Sequence, residues 1–208
     1  MPRPDYNKFM KTFNLSVSHL KFISHEVDHQ YPYTFGKVID TRTQLLEYST
    51  LKYPIGINID VFPIDGVDKK DKVLSEQIFL RKLLDMKTVK YSPNRKIYKN
   101  FVLMASKLLL LVIPINFLVK NMVKNTHKYS YEDSSNVCCV AMGTKLNKPV
   151  PKEYFSDGIL KEFEGRKYFV PIGYDGYLKS IFGDYMKLPP EDKRSSHHIF
   201  EAYYKEEM

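Results

Sequence analysis

The sequence predicts an α+β domain on three observations. Short strand-forming segments fill its first third, an apolar helical stretch occupies the middle, and strand-like runs return after Ser134-Ser135-Asn136. With 208 residues, 43% hydrophobic and 27% charged, the chain can build one good core and reads as globular. No internal repeat or low-complexity linker divides it, so residues 1–208 are expected to form a single domain with a helical insertion over about 68–133.

At the start, Asp5 is placed to cap a short helix carrying Phe9, Met10 and Phe13 at helical spacing. Residues 22–27, 34–39 and 43–48 read as strands and, with a strand ending at Asp60, are expected to share one small sheet. The stretch Gly56-Ile-Asn-Ile-Asp-Val-Phe-Pro-Ile-Asp-Gly66 is the most informative in the chain. Period-two alternation puts Ile57, Ile59 and Val61 on one face and Asn58, Asp60 and Phe62 on the other. Asp60 thus sits inside a strong strand former, and Pro63 ends the ladder just beyond it. An acid in that place either serves a site or simply faces solvent. Asp65-Gly66 is a turn signal that brings a second acid close by.

Residues 68–89 fit an amphipathic helix with Asp68 as its cap. Residues 101–119 are the most apolar, but Lys107, Pro114 and Asn116 interrupt them, and a spanning helix needs roughly 20 mostly apolar residues. Pro114 starts a second helix, giving a hairpin whose apolar surface is expected to pack on the core, with a membrane face as the alternative. Residues 137–142 read as a strand and 161–170 as a hairpin turning at Glu164-Gly165. Tyr174–Phe182 reads as a helix stopped by Gly183, and Leu188-Pro189-Pro190 opens a closing segment that carries His197 and His198.

A net charge of +8 favours anionic partners without choosing among them. No nucleic-acid motif accompanies it, so nucleic acid is not an expected partner. Cys138 and Cys139 are adjacent, which suits neither a disulfide framework nor a zinc site and points to packing roles in a reducing compartment. The first residues lack the apolar core of a secretory signal, so a cytoplasmic location is expected, with peripheral contact at the inner membrane face.

Several segments, in order, resemble the LicD family of bacterial phosphorylcholine-type transferases, related to fukutin and fukutin-related protein. They are Met1-Pro-Arg-Pro-Asp-Tyr6 with Phe9, Phe35-Gly-Lys-Val38 with Thr43, and Asn58-Ile-Asp-Val-Phe-Pro-Ile-Asp-Gly66. Phe163-Glu-Gly165, Tyr174-Asp-Gly-Tyr-Leu178, Phe182-Gly-Asp-Tyr-Met-Lys-Leu-Pro-Pro190, Lys193-Arg194 and His197-His198 complete the series. The resemblance implies a nucleotidyltransferase-like mixed β-sheet with packed helices. It implies transfer of a phospho-alcohol such as phosphocholine from a CDP-linked donor to a cell-surface glycan or glycolipid. It also implies Mg²⁺ or another divalent cation, because attack on a diphosphate concentrates negative charge that hard-oxygen ligands and the ion must offset.

The metal role follows from the resemblance, and side-chain chemistry nominates the other residues. Asp60 is a metal ligand, with Asp65 a weaker second. Lys37 neutralises diphosphate charge, and Lys37 and Thr43 bracket the turn Asp40-Thr41-Arg42, whose donors suit phosphate. Arg194 suits a bidentate phosphate contact, and Tyr174 and Tyr185 suit the walls of a quaternary-ammonium pocket. His197 or His198 supplies a general base. The family's Asp-rich segment, Trp-Asp-Asp-Asp-Ile-Asp, lies just upstream of its Met-Pro-Arg-x-Asp-Tyr, at whose Met this chain starts. An N-terminally truncated domain follows as an expectation, inactive in this shortened form unless the missing carboxylates are supplied. The alternative is a non-catalytic scaffold that binds a glycan-phosphate polymer, a membrane face or a partner enzyme.

Overall fold

The structure, a computed structural model, describes residues 1–15, 19–47, 53–68, 72–89, 96–191, 194 and 200–205. It is a mixed α/β arrangement of five α-helices and several small antiparallel sheets among the described residues. Helix α1, Arg3–Thr12, starts on Pro2, and Asp5 lies in its first turn, where it meets the positive end of the helix instead of capping it. Its Tyr6 and Phe9 rings pack edge-on against Phe22, at 5.6 and 5.4 Å between centroids.

Phe22 belongs to β1, Leu20–Ile23, which pairs with the central strand β2, Gly36–Asp40. The first strand starts and stops earlier than the sequence suggests, because the backbone turns at once, with Val27 N–H donating to Ser24 O. Strand β3, Thr43–Glu47, leaves this sheet, and β4, Asn58–Val61, takes the other side of β2. The expectation of one shared sheet is therefore corrected: β3 joins no ladder with β2 or β4, touches this region through a Leu45–Ile55 bridge and the Thr43 hydroxyl, and pairs instead with the distant β10, Phe200–Tyr204.

The corner between β2, β3 and β4 depends on a bare glycine. A Cβ on Gly56 would stand 2.1 Å from Asp40 O and 2.6 Å from Thr43 Oγ1. Backbone oxygen cannot yield as a flexible side chain can, so Gly56→Ala is expected to destabilise the fold by about 1–3 kcal/mol. Urea unfolding measures that loss, and a stability equal to the parent's would refute the close approach.

The chain then runs through β5, Asp65–Val67, and helix α2, Val73–Thr88, which begins at Lys72 and not at Asp68. Helix α3, Ile97–Leu109, and helix α4, Ile115–Thr126, form the expected hairpin, with Pro114 at the start of α4. α4 packs on α2 through Leu118, Val119, Met122 and Leu84. The expectation that the whole hairpin packs on the core is corrected. Asn100 is the one residue of α3 that is buried, and most of its apolar side chains face outward.

After the helices, β6, Asn136–Cys138, joins β5 to β7, Val150–Pro151. The strand is shorter than expected, because Val140–Met142 coils into a 3₁₀ turn closed by Gly143 at φ 59°. β8, Gly158–Phe163, and β9, Arg166–Pro171, form the predicted hairpin, and Glu164 and Gly165 adopt φ of 53° and 71° at its turn. Helix α5, Tyr174–Phe182, ends at Gly183. One core cluster ties these parts together: Phe35, Ile64, Val137, Cys139, Ala141 and Val150, with Tyr33, Phe155 and Tyr177 against it. Both cysteines are buried and serve as packing residues, and burial pushes each thiol up to about 12.

Candidate functional site

Antiparallel register sets Lys37 of β2 directly opposite Asp60 of β4. Paired residues share a face, so the ammonium and the carboxylate meet: Lys37 Nζ donates to Asp60 Oδ1 at 2.5 Å and to Asn58 Oδ1 at 2.8 Å. Asn58 is held from its other end by Gly56 O, to which its Nδ2 donates at 2.9 Å. The Tyr33 and Phe35 rings lie 5.4 and 5.5 Å from the same ammonium, within range of cation–π attraction. Lys37 is buried, while the Asp60 side chain is 40% exposed. The cluster is therefore a covered cation with a carboxylate on its solvent side.

β4 is an edge strand, and the exposures along it depart from the simplest pattern. Ile59 on the opposite face is 72% exposed, so the apolar face of this strand is not the covered one. Asp60 owes its place to its partner Lys37 more than to burial of its neighbours.

Asp65 lies elsewhere. It is fully buried, and Arg3 Nε donates to its Oδ1 at 2.6 Å. Arg3 also reaches Glu26 at 3.4 Å, and His127 stands 3.6 Å from the same carboxylate. Burial pushes the Asp65 carboxyl up to about 6 against the pull of Arg3. Glu26 goes the other way: burial raises it, but hydrogen bonds from His127 and the backbone, together with Arg3, bring it to about 2. This chain of charges joins the N-terminal helix to β5 from inside the protein. No hydrogen bond or ion pair links it to Lys37 or Asp60 among the described residues.

Thr43 is also turned inward. Its hydroxyl donates to Asp40 O at 2.9 Å and accepts from Ile57 N–H at 2.8 Å, bracing the corner around Gly56. Arg42, in the turn beside it, is spent on Asp40, with Nη2 to Oδ2 at 2.7 Å. Arg194 Nε donates to Pro189 O at 2.7 Å and so closes its own turn. Tyr174 lies beneath Lys161 Nζ at 5.1 Å, and Tyr185 donates its hydroxyl to Asp175 Oδ1 at 2.9 Å. His197 and His198 fall outside the described residues.

The donor set does not by itself fit a magnesium ion. Mg²⁺ needs near-octahedral oxygen ligands, and here Asp60 gives one carboxylate whose Oδ1 is already held by an ammonium. Among the described residues, no group of three or more His, Cys, Asp or Glu is arranged to hold a metal.

The chain is 30% identical to the lipopolysaccharide cholinephosphotransferase LicD of Haemophilus influenzae over 211 aligned residues, covering 98% of this chain and 78% of that protein. It belongs to the LicD family. No family model matches the chain, and no solved structure matches it significantly. Several of the LicD-like segments now have physical reasons. Arg3 of the first segment and Asp65 of the third are the two halves of one buried ion pair. Gly36 has no room for a Cβ, which would meet the Phe22 ring at 2.3 Å. Asn58, Tyr33 and Phe35 are the members of the Lys37 cluster that the sequence reading does not single out. The signal for Asn58 is its place two residues before Asp60, on the same strand face.

Proposed function

We propose that this LicD-family chain transfers a phosphocholine-like phospho-alcohol from a CDP-linked donor to a hydroxyl of a cell-surface glycan. The relationship to a lipopolysaccharide cholinephosphotransferase supports the reaction class. The observation that carries the reading to particular residues is the Lys37 cluster. An ammonium has three N–H donors, and Lys37 gives one to Asp60 and one to Asn58. The third is the one we assign to a non-bridging or leaving oxygen of the donor's diphosphate. A covered, pre-oriented cation favours charge that develops as the P–O bond to CMP breaks. Asp60 and Asn58 hold that cation in place, so it need not reorganise during the step.

In the proposed reaction the acceptor hydroxyl oxygen forms the new bond to phosphorus, CMP leaves with the bonding pair, and the hydroxyl proton passes to an imidazole. His197 and His198 are the groups proposed for that proton, since an imidazole titrates near the working pH. Tyr174 and Tyr185 are proposed to face the alcohol head, and Arg194 the nucleotide phosphate.

The test uses purified protein with CDP-choline and lipopolysaccharide free of phosphocholine, with magnesium and, in parallel, with a chelator. Acceptor-dependent release of CMP and equal incorporation of choline is the expected result. Release of CMP without incorporation would point to hydrolysis instead, and no release in either arm would overturn the reading for this chain.

A further inference from the structure

The charge of this protein is not spread along it. Residues 86–131 contain nine Lys and Arg and no Asp or Glu, against +8 for the whole chain, so all the other residues together sum to −1. The same segment contains α3 and the corner that joins it to α4. On α3, Ile97, Phe101, Met104 and Leu108 repeat at helical spacing and are exposed, Phe101 to 73% and Leu108 to 70%. The corner extends this stripe with Leu111 and Val112, the latter 86% exposed. Polar Asn100 is the residue this helix buries, so its orientation is reversed relative to an ordinary surface helix.

The hairpin is nevertheless held at a fixed place. Lys87 Nζ of α2 donates to Leu110 O at the corner, and α4 is packed on α2. α3 itself rests loosely on α2, above a cleft of about 300 Å³ lined by Met86, Val89, Val102 and Leu103 among others. Lys96 and Lys107 flank the apolar stripe, where their stems can lie along it while the ammonium groups reach toward headgroups, whereas Lys99 faces the cleft on the α2 side beside Asp85. No helix among the described residues is long and apolar enough to cross a membrane, and a helix that meets a bilayer without crossing it lies along the interface.

We propose that α3 and the α3–α4 corner form a docking surface for an anionic lipid bilayer, with the apolar stripe in the headgroup boundary and the acid-free lysine set against lipid phosphates. Apolar burial and attraction to negative lipid act together in such binding. The inference rests on this surface and on no assumption about donor or acceptor. It would hold the chain at a lipid–water boundary, where a lipid-linked glycan presents its hydroxyls.

The test is co-flotation of the full chain with vesicles of phosphatidylglycerol and phosphatidylethanolamine, free of any glycan or nucleotide, beside vesicles of phosphatidylcholine alone. The chain is expected to bind the anionic vesicles at least about tenfold more tightly than the zwitterionic ones. Phe101→Asp with Leu108→Asp should weaken that binding about a hundredfold, and both sites are exposed enough to leave the fold intact. Lys96→Glu with Lys107→Glu should remove the preference for anionic lipid, while Phe169→Asp on the exposed β8–β9 hairpin should change nothing. Equal binding of the Phe101/Leu108 variant, equal loss in the Phe169 variant, or absence of vesicle binding would each overturn the proposal. Concentration-dependent self-association lost in the Phe101/Leu108 variant, with no vesicle binding, would assign the face to a second copy and overturn it likewise. Because the vesicles carry neither donor nor acceptor, failure here is separate from failure of the transferase reaction.

Discussion

Asp60→Asn is expected to lower transfer from CDP-choline about 10²–10³-fold while the protein remains folded. The substitution keeps an oxygen opposite Lys37 Nζ but removes the charge that orients and compensates the ammonium, whose present contact is 2.5 Å. A hydrogen bond to a charged group is worth about 1.5–3 kcal/mol, and the amide retains part of it, so the stability loss should be about 1–2 kcal/mol. Lys37→Met should be comparably inactive, and the double variant should lose little more than either single one, since the two groups act as a unit. Steady-state kinetics and urea unfolding on the same preparations separate the effects. Turnover within about threefold of the parent in a normally folded Asp60→Asn protein would remove this cluster from the chemistry.

Arg3→Ala is expected to cause the largest loss of stability, about 3–5 kcal/mol, because it leaves the buried Asp65 carboxylate and Glu26 without their shared cation. Arg3→Met with Asp65→Leu should recover most of that loss, since the desolvation of both charges disappears with them. The pH dependence has a definite sign. Asp65 is raised from 3.8 to about 6, so between those values the folded chain holds more of this proton than the unfolded chain, and stability from this group falls as pH rises through the window. Glu26 is lowered from 4.5 to about 2, so its contribution is complete above 4.5 and is lost as pH falls toward 2. Urea midpoints across the two windows measure both slopes. In Asp65→Asn the decline toward about pH 6 should vanish, and its persistence would assign the decline to another group.

Local pattern locates elements here better than it locates partners. Tyr174–Phe182 and the Glu164-Gly165 turn follow directly from residue chemistry, because helix periodicity, a terminating glycine and positive φ are local properties. Pro114 likewise marks the break between α3 and α4. Which side of α3 faces the core is not local, since an apolar stripe does not say what covers it, and here the protein takes Asn100 instead. Asp65 and Arg3 meet across 62 positions, a pairing that no periodicity announces. Asp60 is legible as a site residue, but the burial of Lys37 beside it depends on β2 being central, which only the strand order reveals. The paired LicD-like segments carry that long-range information where spacing cannot.

The first residues have a practical consequence for anyone making this protein. Met1 N donates to Phe62 O at 2.9 Å, and Pro2 bridges Ile64 in parallel, two to four positions beyond Asp60. β4 has no strand partner on its outer edge among the described residues. Any chain that precedes Met1, a purification tag included, would enter beside the catalytic candidate, where an extended segment can add to the open edge. Enzyme assays with such a fusion would test the tag as much as the protein, so the choice of terminus becomes part of the experiment.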